Sequence, residues 1–331
     1  MKFIYHCWGG SHSSVICAAI HLGLLPRDRV PSASELRALP HFDSQTTRDH
    51  GRIFCLGQDA QGNDVCFLGR RSNGPVVDRI LPGMAAVFGF RQDEVVTLNT
   101  MPYVNLLMVV GGTLSRGLGL VWPGRPIVTF GVRMAYPRLC HAVEKMKAKA
   151  ARLAAGAAGA TAHAPREPRQ PAQLPFLVFY HCYGSAHSSV VASAIHLGLL
   201  PADRRPTPDA IAAIPHYDRT TTDMVGTPFR IGADDEGHEI YIVGMIRGMR
   251  VLRRAIRCLV RLLGLPQDRL LFVNCLPLVN LRMRIGGFLS RQLGLISLGR
   301  PLTISGVLAS YQCFADAVAR VRAQLRRADG R

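Results

Sequence analysis

The sequence predicts an α/β protein built from two tandem homologous units. Each unit is expected to be a mostly parallel, mixed sheet with helices on both faces, a three-layer arrangement of the Rossmann or P-loop kind. Three observations predict this. Residues from about Tyr5 to Val143 align without a gap with Tyr180 to Val318, at a constant offset of 175. Short apolar runs alternate with helical patterns, as in βαβ units. A length of 331 residues suits two domains of ordinary size.

The elements of the first copy follow from local patterns. Short runs of apolar and β-branched residues predict strands at Lys2–His6, Ile53–Leu56, Asp64–Leu68, Val95–Leu98 and Ile127–Val132. Helices are predicted at Ser13–Leu25, Ser34–Leu39, Val76–Phe88, Val104–Leu118 and Ala135–Ala154. The turn sequence Asp59-Ala60-Gln61-Gly62 predicts a hairpin between the second and third strands, which makes the sheet mixed.

The domain boundaries are predicted at 1–147 for the first repeat and 176–331 for the second. Residues 148–175 between them are rich in Ala, Gly and Pro, so we expect a helical start and an extended, Pro-rich end. The first ten residues lack the apolar core of a secretion signal. Of nine cysteines only Cys7 recurs, as Cys182, whereas a disulfide framework would have been duplicated. These features predict reduced thiols and a cytoplasmic protein.

The charge and the apolar segments indicate possible partners. A net charge of +18 favours polyanions such as nucleic acid, anionic lipid or phosphometabolites. Residues 245–265 place six arginines between apolar residues, a basic amphipathic helix that would contact an anionic membrane surface or nucleic acid, or simply present a solvated face. Val104–Trp122 is apolar, but its equivalent carries Arg282, Arg284 and Arg291. We therefore predict no transmembrane segment, and a buried helix packed through Gly111 and Gly112.

The opening phrase carries the strongest chemical signal. Tyr-His-Cys-Trp-Gly-Gly-Ser-His-Ser-Ser-Val at 5–15 recurs as Tyr-His-Cys-Tyr-Gly-Ser-Ala-His-Ser-Ser-Val at 180–190. Cys7 ends a strand, Gly9 lies in the following loop, and Ser13 and Ser14 begin a helix. Free N–H groups and the helix dipole favour an anion there. We therefore predict a cradle for a small anionic ligand, either phosphate or a nucleotide or other phosphometabolite.

The phrase differs from established phosphate loops. It lacks the G-x-x-x-x-G-K-[ST] pattern of a Walker A loop and the G-x-G-x-x-G of a dinucleotide fingerprint. Compared with the C-x-x-x-x-x-R-[ST] loop of cysteine-dependent phosphatases, it is one residue shorter and has His12 where that loop has arginine. A cysteine near a helix N-terminus and a histidine is a candidate nucleophile. The catalytic candidates are thus Cys7, His12, Cys182 and His187; a small buried residue that closes the strand is the alternative for each cysteine.

Metal binding is a further alternative at the same place. His6, Cys7, His12 and His41, repeated as His181, Cys182, His187 and His216, include suitable zinc ligands. Neighbouring residues in a strand point to opposite faces, so two or three of the four would meet one ion at most. No metal site and no particular cofactor is assigned.

Other polar residues that recur complete the predicted ligand-binding set. His41 and Asp43 would supply a general base or a substrate contact, or form a turn that caps the next element. Asn99 and Asn105 would bind a ligand or cap a helix. Ser115-Arg116 is expected on a helix, and Arg125 at the opposite sheet edge in a structural role. The full ligand-binding set is His6, Gly9, Ser13, Ser14, His41, Asp43, Asn99, Asn105, His181, Gly184, Ser188, Ser189, His216, Asp218, Asn274 and Asn280.

The opening phrase, Ile-His-Leu-Gly-Leu-Leu-Pro at 20–26 and Pro-His-Phe-Asp at 40–43 together resemble a bacterial domain-of-unknown-function family, number 3189. The resemblance covers each repeat nearly end to end. It implies short, typically single-copy relatives from spore-forming Gram-positive bacteria and supplies no reaction; the tandem duplication is the departure. The favoured hypothesis is a phosphate- or nucleotide-binding domain pair, acting as a phosphotransferase or phosphohydrolase. The alternatives are a thiol- or zinc-dependent enzyme and a non-enzymatic regulatory or scaffold protein.

Overall fold

The structure is a computed structural model that describes residues 1–159, 175–246, 248–328 and 330. Each repeat forms one four-stranded mixed sheet with helices, so the predicted α/β class is confirmed. The chain divides into two compact units, Met1–Arg169 with Gly248–Leu265 and Gln170–Arg247 with Pro266–Arg331.

The elements of the first repeat alternate as the sequence predicts up to residue 112. In chain order they are β1 (Lys2–Cys7), α1 (Ser13–His21), α2 (Ala33–Ala38), β2 (Ile53–Gln58), β3 (Asp64–Gly69), α3 (Gly74–Val87), β4 (Val95–Asn99), α4 (Leu106–Gly112) and α5 (Val121–Gly159, with non-helical backbone at Trp122). A π-helical turn, Thr113–Gly117, extends α4. The predicted hairpin is β2–β3.

The sheet of the first repeat has the order β2-β3-β1-β4. The central strand β1 is parallel to β3 and β4, whereas β2 is antiparallel to β3. Cys7 pairs with Gly69 and His6 with Asn99, so the carboxyl ends of three parallel strands meet at one edge. In open α/β sheets this edge is where ligands bind.

The sheet is covered on both faces. Phe3 and Tyr5 of β1 belong to a buried cluster with residues of α1 and α5. Side chains alternate along a strand, so Ile4 faces the other side, where α3 packs against β4. The sheet therefore forms the middle layer, and the loops that follow β1, β3 and β4 start at the edge where these strands end.

The second repeat has the same sheet order, β6-β7-β5-β8. Its elements are β5 (Leu177–Cys182), α6 (Ser188–His196), α7 (Pro208–Ala213), β6 (Phe229–Ala233), β7 (Glu239–Gly244), α8 (Met249–Leu262), β8 (Leu270–Asn274), α9 (Leu281–Arg291), α10 (Ile296–Ala309) and α11 (Tyr311–Ala328). Two helices, α10 and α11, take the place of α5. By its contacts α8 groups with the first unit, where it packs against α3.

The predicted strand Ile127–Val132 is wrong, because these residues lie within α5. Helices α4 and α5 approach so closely that a Cβ on Gly111 would lie 2.3 Å from the backbone nitrogen of Val128. Gly286, the counterpart of Gly111, would meet the backbone nitrogen of Thr303 at 2.7 Å. Close packing through Gly111 is as predicted, and this contact between helices outweighs the strand preference of a β-branched run.

The prediction that Val104–Leu118 is a buried helix is only half right. Met108 and Gly111 of α4 are buried, but Leu106, Val109 and Val110 are exposed. Among the described residues no single helix is long and apolar enough to cross a membrane. One bent pair, Ile296–Ala309 with Tyr311–Ala328, passes that test only when its two helices are taken together.

The expectation that all cysteines are reduced is wrong for one pair. Cys55 of β2 and Cys66 of β3 are direct cross-strand neighbours and form a disulfide. Arg230 and Tyr241 occupy these positions in the second repeat, so the disulfide was not duplicated with the domain. The predicted helical start of the linker is confirmed, since α5 continues to Gly159. The Pro-rich part of the linker, 160–174, lies outside the described residues.

Candidate anion-binding site

The loop between β1 and α1 lies at the edge where the parallel strands end. Gly10 has φ +74°, and a Cβ there would lie 2.5 Å from the backbone nitrogen of Gly69. Both features favour glycine at this position, because the left-handed region is costly for other residues and a side chain would meet the backbone of Gly69. Ser185 takes the same position in the second repeat with φ +49°.

Cys7 is held inside this loop. Its Sγ accepts a hydrogen bond from the Gly10 backbone N–H at 3.1 Å and lies 3.1 Å from Ser14 Oγ. Cys182 repeats the arrangement, with Ser185 N–H at 3.1 Å and Ser189 Oγ at 3.2 Å. Both thiols are buried at the end of a strand, and each contacts a backbone N–H of the loop and a serine hydroxyl in the first turn of the helix.

Ser13 ties the same loop to the end of β4. Its Oγ lies 2.8 Å from Thr100 Oγ1, and Thr100 donates to the carbonyl of His6 at 3.1 Å. Cys275 replaces Thr100 in the second repeat. The hydroxyl pair therefore belongs to the first repeat alone.

His12 directly precedes α1 and forms a pair with Asp43. Its Nε2 lies 3.1 Å from Asp43 Oδ1, and its ring packs edge-on against Phe42. A Cβ on Gly112 would lie 3.1 Å from the ring, so α4 leaves room for the imidazole. The side chain of His12 makes no hydrogen bond to the first turn of α1. The first-turn N–H groups are therefore not capped by a side chain of the preceding residue.

Asp43 is the centre of the cluster. Ser115 donates to Oδ1 at 2.8 Å and Oδ2 at 2.7 Å, Arg125 Nε donates to Oδ2 at 2.8 Å, and Arg116 Nε lies 3.1 Å from Oδ1. Burial alone would raise the pKa of Asp43, but hydrogen bonds from His12, Arg125 and Ser115 outweigh it and hold this pKa well below its usual range. Asp43 is therefore an anion throughout the neutral range.

The second repeat builds the same cluster around Asp218. His187 Nε2 lies 3.1 Å from Oδ1, Ser290 donates to Oδ1 at 2.5 Å, and Arg300 donates to Oδ2 at 3.2 Å. Burial opposes the charge here too, but His187 and Ser290 lower the pKa of Asp218 to about 2. Arg291 differs from Arg116, because it donates chiefly to the carbonyls of Asp218 and Thr220.

The backbone around each aspartate is strained in the same way. Asp43 has φ +47° and His41 has φ +66°; the second repeat shows +52° at Asp218 and +68° at His216. Non-glycine residues adopt this region at a cost, which persists only where the surroundings enforce it. The backbone N–H of Asp43 donates to the carbonyl of Ser11, which fixes the carboxylate beside the loop.

The cluster carries a surplus of positive charge. Two arginines share one carboxylate, and the side chain of Arg125 is 41% exposed, so its guanidinium also reaches solvent. The positive end of the α1 dipole adds to this charge. The arrangement can attract an anion to the mouth of the loop.

A second network lies beside the loop of the first repeat. His6 Nε2 lies 2.9 Å from Asp78 Oδ1, and Thr97 donates to the same oxygen at 2.7 Å. Arg70 donates to His6 Nδ1 at 3.3 Å and to Asn99 Oδ1 at 3.0 Å. Burial lowers the pKa of His6, while its bond to Asp78 opposes that shift. Met245, Arg253 and Phe272 replace Arg70, Asp78 and Thr97, so the second repeat lacks these polar partners.

The remaining predicted residues have separate places. His41 packs against the rings of Phe54 and Phe67 and contacts Gln45. Asn105 caps α4 by accepting from the Met108 N–H at 2.9 Å, and Asn280 does the same in α9. In the part of the chain that the structure describes, no three His, Cys, Asp or Glu side chains converge as a metal site would require.

The predicted opposite-edge, structural placement of Arg125 is wrong, because α5 starts earlier than predicted and brings it to Asp43. The sequence predicts Ser115 and Arg116 on a helix but does not predict their contact with Asp43. All three lie at least 72 residues from Asp43 in the chain. One signal was available: Ser115-Arg116 and Gly124-Arg125-Pro126 recur unchanged at 290–291 and 299–301.

Helix α8 corresponds to the predicted basic amphipathic helix. Its apolar face is buried, including Leu252, Ile256 and Leu259, while Arg250, Arg254 and Arg257 are exposed. The helix thus has no free apolar face, and contact of its arginines with an anionic partner stays a prediction.

The fold and the site define a class: tandem α/β domains, each with a His–Asp–Ser–Arg cluster beside the first strand–loop–helix. The chain belongs to the family described as Protein of unknown function (DUF3189), whose model matches residues 2–148 and 177–323. The predicted family and its duplication are thereby confirmed. Neither a curated protein nor a solved structure matches the chain.

Proposed function

We propose that each repeat binds the phosphate group of a small molecule, such as a nucleotide or another phosphometabolite, at the mouth of the loop between its first strand and helix. The observation that carries the proposal is the convergence of two arginines, a serine and a histidine on one buried aspartate beside a helix N-terminus. Arginine suits phosphate because its planar fork can donate two parallel hydrogen bonds.

The loop between the first strand and helix contains no lysine or arginine of its own. Arg116 and Arg125 supply the positive charge from α4 and α5, while Asp43 orients them and holds His12. Asp43 is thus a positioning residue, and Arg125 and the α1 N–H groups are the ligand contacts in this proposal.

The same groups suit phosphoryl transfer to water or to another acceptor. Such catalysis depends on positioning and on stabilising negative charge. His12 is the group placed to act as a general acid or base, because its contact with the Asp43 carboxylate orients the imidazole.

A thermal-shift screen with inorganic phosphate, nucleotides and sugar phosphates tests the binding proposal. We expect stabilisation of the wild type by at least one of these anions, and a smaller shift in Arg125→Ala and Arg300→Ala. Arg138→Ala is the matched control, since Arg138 is exposed on the same helix as Arg125. Stabilisation of all variants to the same extent would contradict the proposal.

Thiol chemistry at Cys7 and Cys182 is the second candidate, supported by the two contacts that each thiol repeats. Alkylation followed by peptide mass spectrometry tests it. Cys17 is the internal control, because burial raises its pKa well above the usual value. We expect Cys7 and Cys182 to be alkylated faster than Cys17; equal resistance of all three would exclude a thiol nucleophile.

A further inference from the structure

Both repeats expose apolar side chains on the helical hairpin that follows the fourth strand. The hairpin is α4–α5 in the first repeat and α9–α10 in the second. Four equivalent pairs are exposed on what we call the hairpin surfaces: Leu106 and Leu281, Val110 and Ile285, Leu118 and Leu293, Leu120 and Leu295. Isolated exposed apolar residues are common, but a group that recurs at matching positions calls for an explanation.

The apolar residues are grouped, not scattered. Leu106 and Val110 are four residues apart on α4, and so lie on one face of the helix. Leu118, Leu120 and Trp122 continue along the turn into α5, and Trp122 is 83% exposed. The opposite side of α4 is committed to α5 through Gly111. Each hairpin is therefore rigidly packed on one side and apolar on the other.

The two chain segments that form these surfaces carry charged side chains of one sign. None of the 22 acidic residues of the chain lies in 95–143 or in 270–315. Each of these segments carries four arginines: Arg116, Arg125, Arg133 and Arg138 in the first, and Arg282, Arg284, Arg291 and Arg300 in the second. Asp43 and Asp218 offset part of this charge from outside the segments.

We infer that the hairpin surfaces dock on an anionic lipid membrane. Leucine and tryptophan side chains at the turn would enter the boundary between headgroups and acyl chains, while the arginines would pair with lipid phosphates. A nucleic acid would satisfy the arginines but not the aliphatic side chains, which offer no stacking surface for bases. The mode is peripheral docking by a folded hairpin.

Vesicle flotation of the full chain tests the inference, with neutral phosphatidylcholine vesicles compared with vesicles holding about 30 mol % phosphatidylglycerol. We expect binding to the anionic vesicles and weaker binding at high salt. The variant Leu118→Ser/Leu120→Ser/Leu293→Ser/Leu295→Ser should reduce partitioning by about tenfold or more. Leu24→Ser/Leu199→Ser is the matched control, because these leucines are similarly exposed at equivalent positions outside the hairpins; it should bind like the wild type.

Tryptophan fluorescence gives a direct readout. The chain has two tryptophans, Trp8 and Trp122, so Trp8→Phe leaves Trp122 as the reporter. Its emission should shift to shorter wavelength with anionic vesicles and not with neutral ones.

Three results would overturn the inference. One is no binding of the wild type to anionic vesicles, and another is equal binding by the leucine variant. The third is evidence that the hairpin surfaces bind another partner. That evidence would be a dimer in sedimentation that the leucine substitutions dissociate, or binding to single-stranded DNA that these substitutions abolish. Circular dichroism of each variant confirms that lost binding is not lost folding.

Discussion

The two repeats agree in one polar cluster and differ in another. In each repeat a histidine, a serine and an arginine contact one buried aspartate, which is Asp43 in the first repeat and Asp218 in the second. The network of His6 with Asp78 and Arg70 exists in the first repeat alone. The difference indicates that the aspartate cluster is the part of the site common to both repeats, and that any activity needing Arg70 belongs to the first.

The largest loss of stability is expected from substitutions in the helical hairpin that brings Arg125 to Asp43. Gly111→Ala and Gly286→Ala would each drive a methyl group into a backbone nitrogen, and should lower the free energy of unfolding by about 3 kcal/mol or more. Gly156→Ala is the control: nothing lies near its Cβ position, so this helical site should be neutral or gain up to about 1 kcal/mol. Urea unfolding measures both. A tolerated Gly111→Ala would mean that the two helices are not packed this closely.

A smaller loss of stability is expected when the aspartate at the centre of either cluster, Asp43 or Asp218, is replaced. Asp43→Asn and Asp218→Asn remove the charge that the arginines and histidine contact, and each should cost about 2 kcal/mol of stability. Asp28→Asn and Asp203→Asn are exposed, equivalent controls and should change stability by less than about 0.5 kcal/mol. If only one of the two cluster variants were destabilised, the repeats would not share the same site architecture.

The pH dependence of stability gives a third comparison. Asp218 has a folded pKa of about 2, so its contribution is complete above the unfolded value of about 4 and is lost as the pH falls toward 2. The loss should be about 2 kcal/mol, and Asp43, whose pKa is also lowered, adds in the same direction. Asp43→Asn/Asp218→Asn should flatten the profile between about pH 5 and 2.

The titration of His21 also changes the stability at acid pH and has to be separated from that of the two aspartates. Burial lowers the pKa of His21 to about 4, so the chain also loses stability as the pH falls from about 6.5 to 4. This loss should be the same in wild type and double variant. An identical profile for the two proteins below pH 4 would show that the aspartates are not held as described.

The smallest loss of stability is expected at Asp78, which belongs to a network of the first repeat. Asp78→Asn weakens the bonds from His6 and Thr97, at a cost of about 1 kcal/mol. The second repeat has Arg253 at that position, so it has no equivalent carboxylate to lose. Phosphate affinity of the first repeat should fall no more than about twofold, since this network does not include Arg125. A large loss of affinity would place the network within the binding site.

Most of the fold was predictable because its strands and early helices are local patterns. Alternation and turn residues gave β1 to β4, and the internal repeat gave the two units. The strand predicted at Ile127–Val132 failed because packing against α4 decides the conformation there. The loop with Cys7 and His12 was predictable from its sequence phrase. The contact between Arg125 and Asp43 could not be predicted, because tertiary structure brings together two residues that lie 82 positions apart in the chain.

We propose that one anion binds in each repeat, beside Asp43 and Asp218. Isothermal titration of the full chain with the best anion from the screen tests it most directly. We predict about two sites per chain, one lost in Arg125→Ala and the other in Arg300→Ala, with both kept in Arg138→Ala. Unchanged stoichiometry and affinity in the first two variants would contradict the account.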